Sequence, residues 1–308
     1  MTYPKCPITG EPATRHVQFV KARFLVSAWK LVFGVPTRPS FGDVERFGLW
    51  ESPTGLYFFD PMIEGDQEFY AKFHARLVEA GLWSPNSIRT EFEIAARRIA
   101  PGQRVLDVGC GFASFRTVIP YADYVGLDPN LPADNRATGI FKQTLQDHLR
   151  EHAESYDVVC SFQVIEHVAS PTRYFSEMVR AARPGGLVIV GVPHIPSALT
   201  RIPNFLLNAP PHHLTWWTPK ALEILSEQHA TVVESIEVIP WGKDNALLYW
   251  MERCSPIRCR DIHYRNVLSW HAAALVSYLG GHLIKKLRGV PETTDEGSGL
   301  LLIARRPS

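Results

Sequence analysis

From residue 86 onward, apolar runs of strand length alternate with amphipathic segments. The spacing predicts strands over 104–110 (RVLDVGC), 124–129 (YVGLDP), 139–145 (GIFKQTL), 156–162 (YDVVCSF), 186–193 (GLVIVGVP), 231–239 (TVVESIEVI) and 299–306 (GLLLIARR). Several are continuous apolar runs rather than strict alternations, which suits strands covered on both faces of a sheet. Helices fit between them. Ile88, Phe92, Ala95, Ala96 and Ile99 recur at helical spacing and stop at the Pro-Gly-Gln of 101–103. A second helix is expected to open with Ser170 as N-cap and Pro171 in its first turn, and to stop at Pro184-Gly185-Gly186. Thr218 and Pro219 repeat the device before ALEILSEQ. Strands and helices alternating in this way predict an α/β fold: a doubly wound, mostly parallel seven-stranded sheet of Rossmann-like type.

Two regions fall outside that rhythm. Residues 1–85 carry a short strand pattern, FGLWESPTGLYFFDP, and a helix beginning near Asp66 with Phe69, Phe73 and Leu77 on one face. They are read as a small N-terminal β/α unit preceding a second unit over 86–308. Residues 241–298 interrupt that second unit before its last strand and are rich in aromatic and apolar residues. Their longest uncharged run, Asn266 to Ile284, holds His271, His282 and several small polar residues, a poor membrane span. The insertion is expected to be a helical lid or an oligomer surface. The other reading is an interfacial helix in peripheral membrane contact, flanked by Lys285, Lys286 and Arg288.

Composition narrows the classes. The 308 residues, 45% of them hydrophobic, suffice for one substantial core with an appended piece. A net charge of +1 removes the electrostatic footprint of a dedicated nucleic-acid binder. The N-terminus shows no secretory pattern, and the five cysteines form no CxxC pair, so a reduced, cytoplasmic location is expected. Cys254, Cys259 and His263 lack a fourth ligand of suitable spacing, and no metal site is expected.

The chemistry begins at VLDVGCG, residues 105–111. Gly109 and Gly111 follow the first strand of the sheet, where a parallel fold places nucleotide-like ligands and where glycine lets the backbone approach them closely. The residue three after Gly111 is Ser114, so the third glycine of a dinucleotide fingerprint is missing, and no GxxxxGK[ST] phosphate loop occurs. Asp128 ends the next strand, 17 residues after Gly111, and can accept hydrogen bonds from both hydroxyls of a ribose. The alternative is that Asp128-Pro129-Asn130 is simply a turn.

Taken in order, VLDVGCGFASF, VGLDPN, FKQTLQDH, YDVVCSFQVIEHVASP and ARPGGLVIVGVPH resemble the class I S-adenosylmethionine-dependent methyltransferases over about residues 86–240, in the small-molecule branch whose fourth strand is followed by EHV. The resemblance implies S-adenosylmethionine as cofactor. It places Gly109, Cys110 and Gly111 by the methionine part, Asp107 on the amino group, and Asp128 with Pro129 at the ribose. Thr144 and Leu145 would lie by the adenine, and Phe162 and Gln163 beneath the transferring methyl. One departure is Ala113, where many relatives carry a further glycine. Relatives also often begin with CPxCG and a second CxxCG. Here CPITG and WESPTG keep the frame, but Thr9, Glu51 and Thr54 stand where cysteines would, implying a ribbon-like unit without zinc.

Methyl transfer to a hydroxyl or a protonated amine needs a base, and histidine is suited to that near neutral pH. Three clusters compete: Glu166-His167 after the fourth strand, His194 after the fifth, and His212-His213 in NAPPHHLTWWTP. The last is favoured, with His212 or His213 as base or acceptor contact and Trp216 and Trp217 as apolar walls. The bland reading is that a histidine before a Thr-Pro helix start only bonds the backbone. His167 is the next candidate, and His194 is grouped with the acceptor pocket. The expected activity is methyl transfer to a hydroxyl or amine of a small-molecule, carbohydrate-linked or lipid-linked acceptor. The alternative is a cofactor-binding protein without catalysis. A nicotinamide oxidoreductase is disfavoured by the missing glycine, and a nucleic-acid methyltransferase by charge and by SFQV, which lacks an Asn/Asp-Pro-Pro-aromatic signature.

Overall fold

The computed structural model describes residues 3–79, 88–292 and 296–308. The unit boundary expected at residues 85–86 lies outside them. In chain order, β1 (Arg15–Lys21), α1 (Ala22–Phe33), α2 (Arg38–Phe41), β2 (Arg46–Glu51), β3 (Tyr57–Asp60) and α3 (Gln67–Glu79) precede the large sheet. There follow α4 (Thr90–Ala96), β4 (Arg104–Val108), β5 (Asp123–Leu127), β6 (Ile140–Phe141), α5 (Leu145–His152), β7 (Tyr156–Phe162), α6 (Pro171–Ala181) and β8 (Ala182–Pro193). The chain closes with α7 (Ala198–Arg201), β9 (Thr215–Trp216), α8 (Pro219–Gln228), β10 (Val232–Ile239), α9 (Ala246–Cys254), α10 (Leu268–Arg288) and β11 (Gly299–Arg305).

The expected Rossmann-like sheet is present, seven strands in the order β10-β11-β8-β7-β4-β5-β6. Six run in the same direction; only β11 is reversed, antiparallel to both neighbours, β8 and β10. The chain leaves β4 toward β5 and β6, then crosses back to β7 on the other side of β4. That reversal opens a crevice at the C-terminal ends of β4, β5 and β7, where such sheets bind ligands.

Local signals set several of these boundaries. Thr218 caps α8, its hydroxyl accepting from the Ala221 N–H at 3.2 Å with Pro219 in the first turn. Pro171 opens α6 likewise, but Ser170 makes no side-chain cap bond, and the helix passes directly into β8 rather than stopping at Pro184. The strand expected over 139–145 shrinks to two residues because Thr144 caps α5, accepting from the Asp147 N–H at 3.1 Å. Ile88, expected on the apolar face of α4, is 52% exposed and lies before the helix starts.

The N-terminal segment forms an antiparallel sheet in the order β1-β2-β3-β9. Its fourth strand comes from residues 215–216, so the two sheets are stitched together. An aromatic core with Trp29, Phe47, Phe59, Phe69, Phe73 and Trp216 fills the space beside it. A second core runs from Cys6, Trp50 and Phe58 into Leu106, Val159 and Leu302 of the large sheet. Burial of these side chains, at roughly 1.5–3 kcal/mol each, is the main term holding the two sheets together. The insertion contributes α9 and α10, packed against each other. No helix among the described residues is long and apolar enough to cross a membrane.

Candidate functional site

Beyond Val108 the chain turns through Gly109 (φ +76°) and Gly111 (φ +52°). The N–H groups of Gly109 and Cys110 both donate to the Leu127 carbonyl, at 2.7 and 3.0 Å, pinning the turn to the end of β5. A Cβ on Gly109 would lie 2.4 Å from a Val164 methyl carbon, so only glycine fits. Ala113 also has positive φ (57°), which explains a preference for glycine there; alanine tolerates it for about 1–2 kcal/mol.

Asp128 does two things at once. One carboxylate oxygen accepts from the Gly111 N–H at 3.1 Å, and the other from the Asn130 N–H at 2.8 Å. The second bond is the local turn that the bland reading expected, and the first ties the glycine turn to the end of β5. Asp107 is 3% exposed and accepts from the Tyr124 hydroxyl at 2.7 Å. Burial pushes its pKa up to about 7, against the Tyr124 bond, which lowers it. No cation pairs with it among the described residues, so it is a buried anion suited to an ammonium partner.

These groups face one cavity of about 580 Å³. Asp107, Gly109, Cys110, Gly111, Asp128 and Pro129 line one side of it. Thr144, Leu145, Phe162, Gln163 and His167 line it too, as do Tyr70, His74 and Arg89. Phe162 is held between Phe92 and Phe115, with ring centroids 5.0 and 4.8 Å away. Gln163 adopts a left-handed backbone (φ 59°) and donates from Nε2 to Glu91 Oε2 at 2.9 Å, while Arg89 pairs with the other Glu91 oxygen at 3.2 Å.

A second cavity of about 300 Å³ meets the first at His167. Glu166, His212 and His213 also line it, with apolar walls from Phe73, Leu199, Phe205 and Leu248. The N-terminal sheet builds this corner. Trp29 of α1 donates from Nε1 to the Pro210 carbonyl at 2.9 Å. The Leu214 N–H donates to the Glu166 carbonyl at 2.8 Å, and the Phe59 N–H to the Leu214 carbonyl at 2.9 Å. The rings of His167, His212 and His213 consequently lie with centroids 4.4 to 4.9 Å apart, His212 stacked on His213 and His167 tilted to both. Burial, the first cause in each case, lowers the pKa of all three, that of His167 to about 4, so they stay neutral near pH 7. Burial raises Glu166 to about 8. Both Glu166 oxygens and the Nδ1 atoms of His212 and His213 are buried without a hydrogen-bond partner. Each such group costs about 1–3 kcal/mol unless something satisfies it.

The acceptor walls expected at Trp216 and Trp217 are elsewhere. Trp216 is 2% exposed, donates from Nε1 to the Asn208 carbonyl at 2.9 Å and packs on Phe59 and His263. Trp217 is fully buried in the core of the large sheet. Both are too apolar and too large to stay at a wet edge once β9 pairs with β3. His194 lines neither cavity; its Nδ1 meets the Glu296 carbonyl. Sequence reasoning missed Glu91 and Tyr124, whose signals exist only in three dimensions, and it used Glu166 only as a neighbour of His167. In the N-terminal frame, Cys6 Sγ lies 4.0 Å from Thr54 Oγ1, which is 2.8 Å from Ser52 Oγ. Hydroxyls thus fill the space around the single thiol.

A family profile described as a methyltransferase domain matches residues 66–231, more than half of the chain. A protein named ubiquinone biosynthesis O-methyltransferase from Rhizobium johnstonii is 29% identical over 164 residues, covering 48% of this chain and 62% of its own. One of the same name from Rhizobium etli is 31% identical over 168 residues, with the same coverages. The chain thus spans less than two thirds of the length of these relatives. Among solved structures, an S-adenosylmethionine-dependent methyltransferase from Archaeoglobus fulgidus has a TM-score of 0.45 and 16% identity, covering 75% of this chain and 99% of its own.

Proposed function

The chain belongs to the methyltransferase-domain family, with S-adenosylmethionine as its cofactor, and on that premise we propose that it methylates a hydroxyl of a small apolar molecule. The observation that carries this reading is the junction of two cavities. One is lined by all ten residues expected to hold the cofactor, the other by apolar walls together with His212, His213 and other polar side chains, and His167 borders both.

The fit to S-adenosylmethionine rests on three features. The glycine turn leaves room that a Cβ on Gly109 would fill. The buried Asp107 carboxylate has the charge and the position to hold the amino group of the methionine part. Asp128 keeps lone pairs for ribose hydroxyls at the end of β5. When bound, the cofactor supplies a methyl group on a sulfonium, which leaves in line to a nucleophile with the bonding pair returning to sulfur. The protein then has three tasks: aligning the acceptor oxygen with that methyl, excluding water and removing the hydroxyl proton. Phe162 and its aromatic neighbours exclude water beneath the cofactor. His167, His212 and His213 meet the acceptor oxygen.

The homologues' name, ubiquinone biosynthesis O-methyltransferase, supports oxygen as the accepting atom. The apolar walls that Phe73, Leu199, Phe205 and Leu248 give the second cavity, beside polar groups such as Arg89, Asp244 and Asn245, support an aromatic or lipid-linked acceptor. Labelled S-adenosylmethionine is incubated with the full chain and a panel of ortho-dihydroxybenzenes bearing alkyl chains of increasing length. Formation of a labelled methoxy product, with KM falling as the chain lengthens, is expected. Cofactor binding with no transfer to any oxygen acceptor, in the panel or in a cell extract, would establish the non-catalytic alternative.

A further inference from the structure

The three histidines form the one group of three or more histidine, cysteine, aspartate or glutamate side chains among the described residues with metal-ligand spacing. One ligand atom from each lies within 4.8 Å of the others. His167 Nδ1 is 2.6 Å from the His212 carbonyl oxygen and donates its proton there, which leaves the Nε2 lone pair free. That Nε2 is 3.8 Å from Glu166 Oε1. Glu166 is fully buried, and neither of its oxygens has a hydrogen-bond partner. Nδ1 of His212 and Nδ1 of His213 are buried and equally without partners. Three imidazoles therefore lie at ligand spacing, with the unpartnered Glu166 carboxyl beside one of them, His167.

We propose that His167, His212 and His213 bind a first-row divalent transition metal ion, with Glu166, beside His167, turning in as a fourth donor. Imidazole nitrogens with one carboxylate oxygen suit zinc, iron(II) or cobalt(II) rather than magnesium or calcium, which take oxygen ligands. The bond from His167 Nδ1 to a backbone carbonyl is the outer contact that orients metal-binding histidines and fixes their tautomer. Zinc–nitrogen bonds of about 2.0–2.1 Å place tetrahedral ligands about 3.3 Å apart, so closing from the observed spacing needs side-chain rotations of about 1 Å. An ion there borders both cavities through His167. It replaces the free histidine base expected from sequence with a positive charge that holds the acceptor oxygen and favours loss of its proton. This role, though not the site itself, rests on the proposed hydroxyl methylation.

The test uses full-length protein without a histidine tag, stripped with a chelator and titrated separately with cobalt(II) and zinc(II). One ion per chain is expected, with visible cobalt d–d bands. X-ray absorption of the zinc-loaded wild type should report imidazole scattering and no sulfur. His213→Ala and Glu166→Gln should weaken cobalt binding by about tenfold or more. S-adenosylmethionine affinity, measured in parallel, should change less than twofold in both variants. Sub-stoichiometric metal in the wild type, sulfur scattering, or cobalt affinity unchanged in a folded His213→Ala protein overturns the site. If a variant does not fold, the wild-type absorption spectrum decides alone. Metal binding in a protein that ignores S-adenosylmethionine upholds the site and refutes the functional reading.

Discussion

Replacing Gly109 with alanine tests how the cofactor turn is built. Gly109 has φ +76°, and a left-handed backbone costs an L-residue about 1–2 kcal/mol. The new Cβ would sit 2.4 Å from Val164 Cγ2 and 3.2 Å from Cγ1. Carbon contacts settle near 3.5–4.0 Å, so the turn or Val164 must give way by about 1 Å, an overpacking cost of about 1–3 kcal/mol. Gly109→Ala should therefore lose about 2–5 kcal/mol. Gly111→Ala, also at positive φ but with open space around its Cβ, should lose only about 1–2 kcal/mol. Urea unfolding of both variants measures the difference. In a Val164→Ala background, Gly109→Ala should cost about 1–3 kcal/mol less than it does in the wild type, a coupling that the double-mutant cycle isolates. Equal losses at the two glycines, or no coupling to Val164, would refute the reasoning.

Asp107, with its pKa raised to about 7 by burial, should make cofactor affinity pH-dependent. The ionised form binds the ammonium group, so the affinity for S-adenosylmethionine should be about tenfold weaker at pH 6 than at pH 8, and flat in Asp107→Asn. The same raised pKa means that Asp107 favours the folded cofactor-free protein below about pH 4, a contribution lost as pH rises through about 7. Trp216→Ala should cost about 3–5 kcal/mol of stability, and Trp216→Phe about 0.5–1.5 kcal/mol for the bond to Asn208. A fully stable Trp216→Ala with only acceptor KM raised would return Trp216 to the acceptor pocket. Cys6→Ser should leave the metal content measured by elemental analysis unchanged, since Thr54 and Ser52 surround the thiol with hydroxyls. Metal lost with Cys6 would restore a zinc ribbon.

Periodicity and the Gly-x-Gly turn reveal the large sheet because its strands are continuous apolar runs and its turn chemistry is local. That the residues assigned to the cofactor line one cavity is equally legible, since they sit at strand ends that the topology brings together. β1 goes unread because Arg15–Lys21 mixes polar and apolar residues on both faces. Trp216 is misassigned for a non-local reason. Thr215–Trp216 reads as loop until Tyr57 and Phe58 of β3, far earlier in the chain, supply its partners. The histidine cluster shares that origin: Trp29, Phe59 and Glu166 hold the loop from three distant places. Neighbouring letters suggest His212 and His213 but say nothing of His167 lying against both.

The central claim is that the crevice at the ends of β4, β5 and β7 is the S-adenosylmethionine site. Calorimetric titration of the full chain and of Asp128→Ala tests it most directly, with circular dichroism confirming that the variant is folded. One cofactor per chain is predicted for the wild type. The variant should lose about 1–3 kcal/mol of binding free energy as the ribose loses its charge-assisted hydrogen bonds. No binding to the wild type, or undiminished binding to a folded Asp128→Ala protein, would contradict the account.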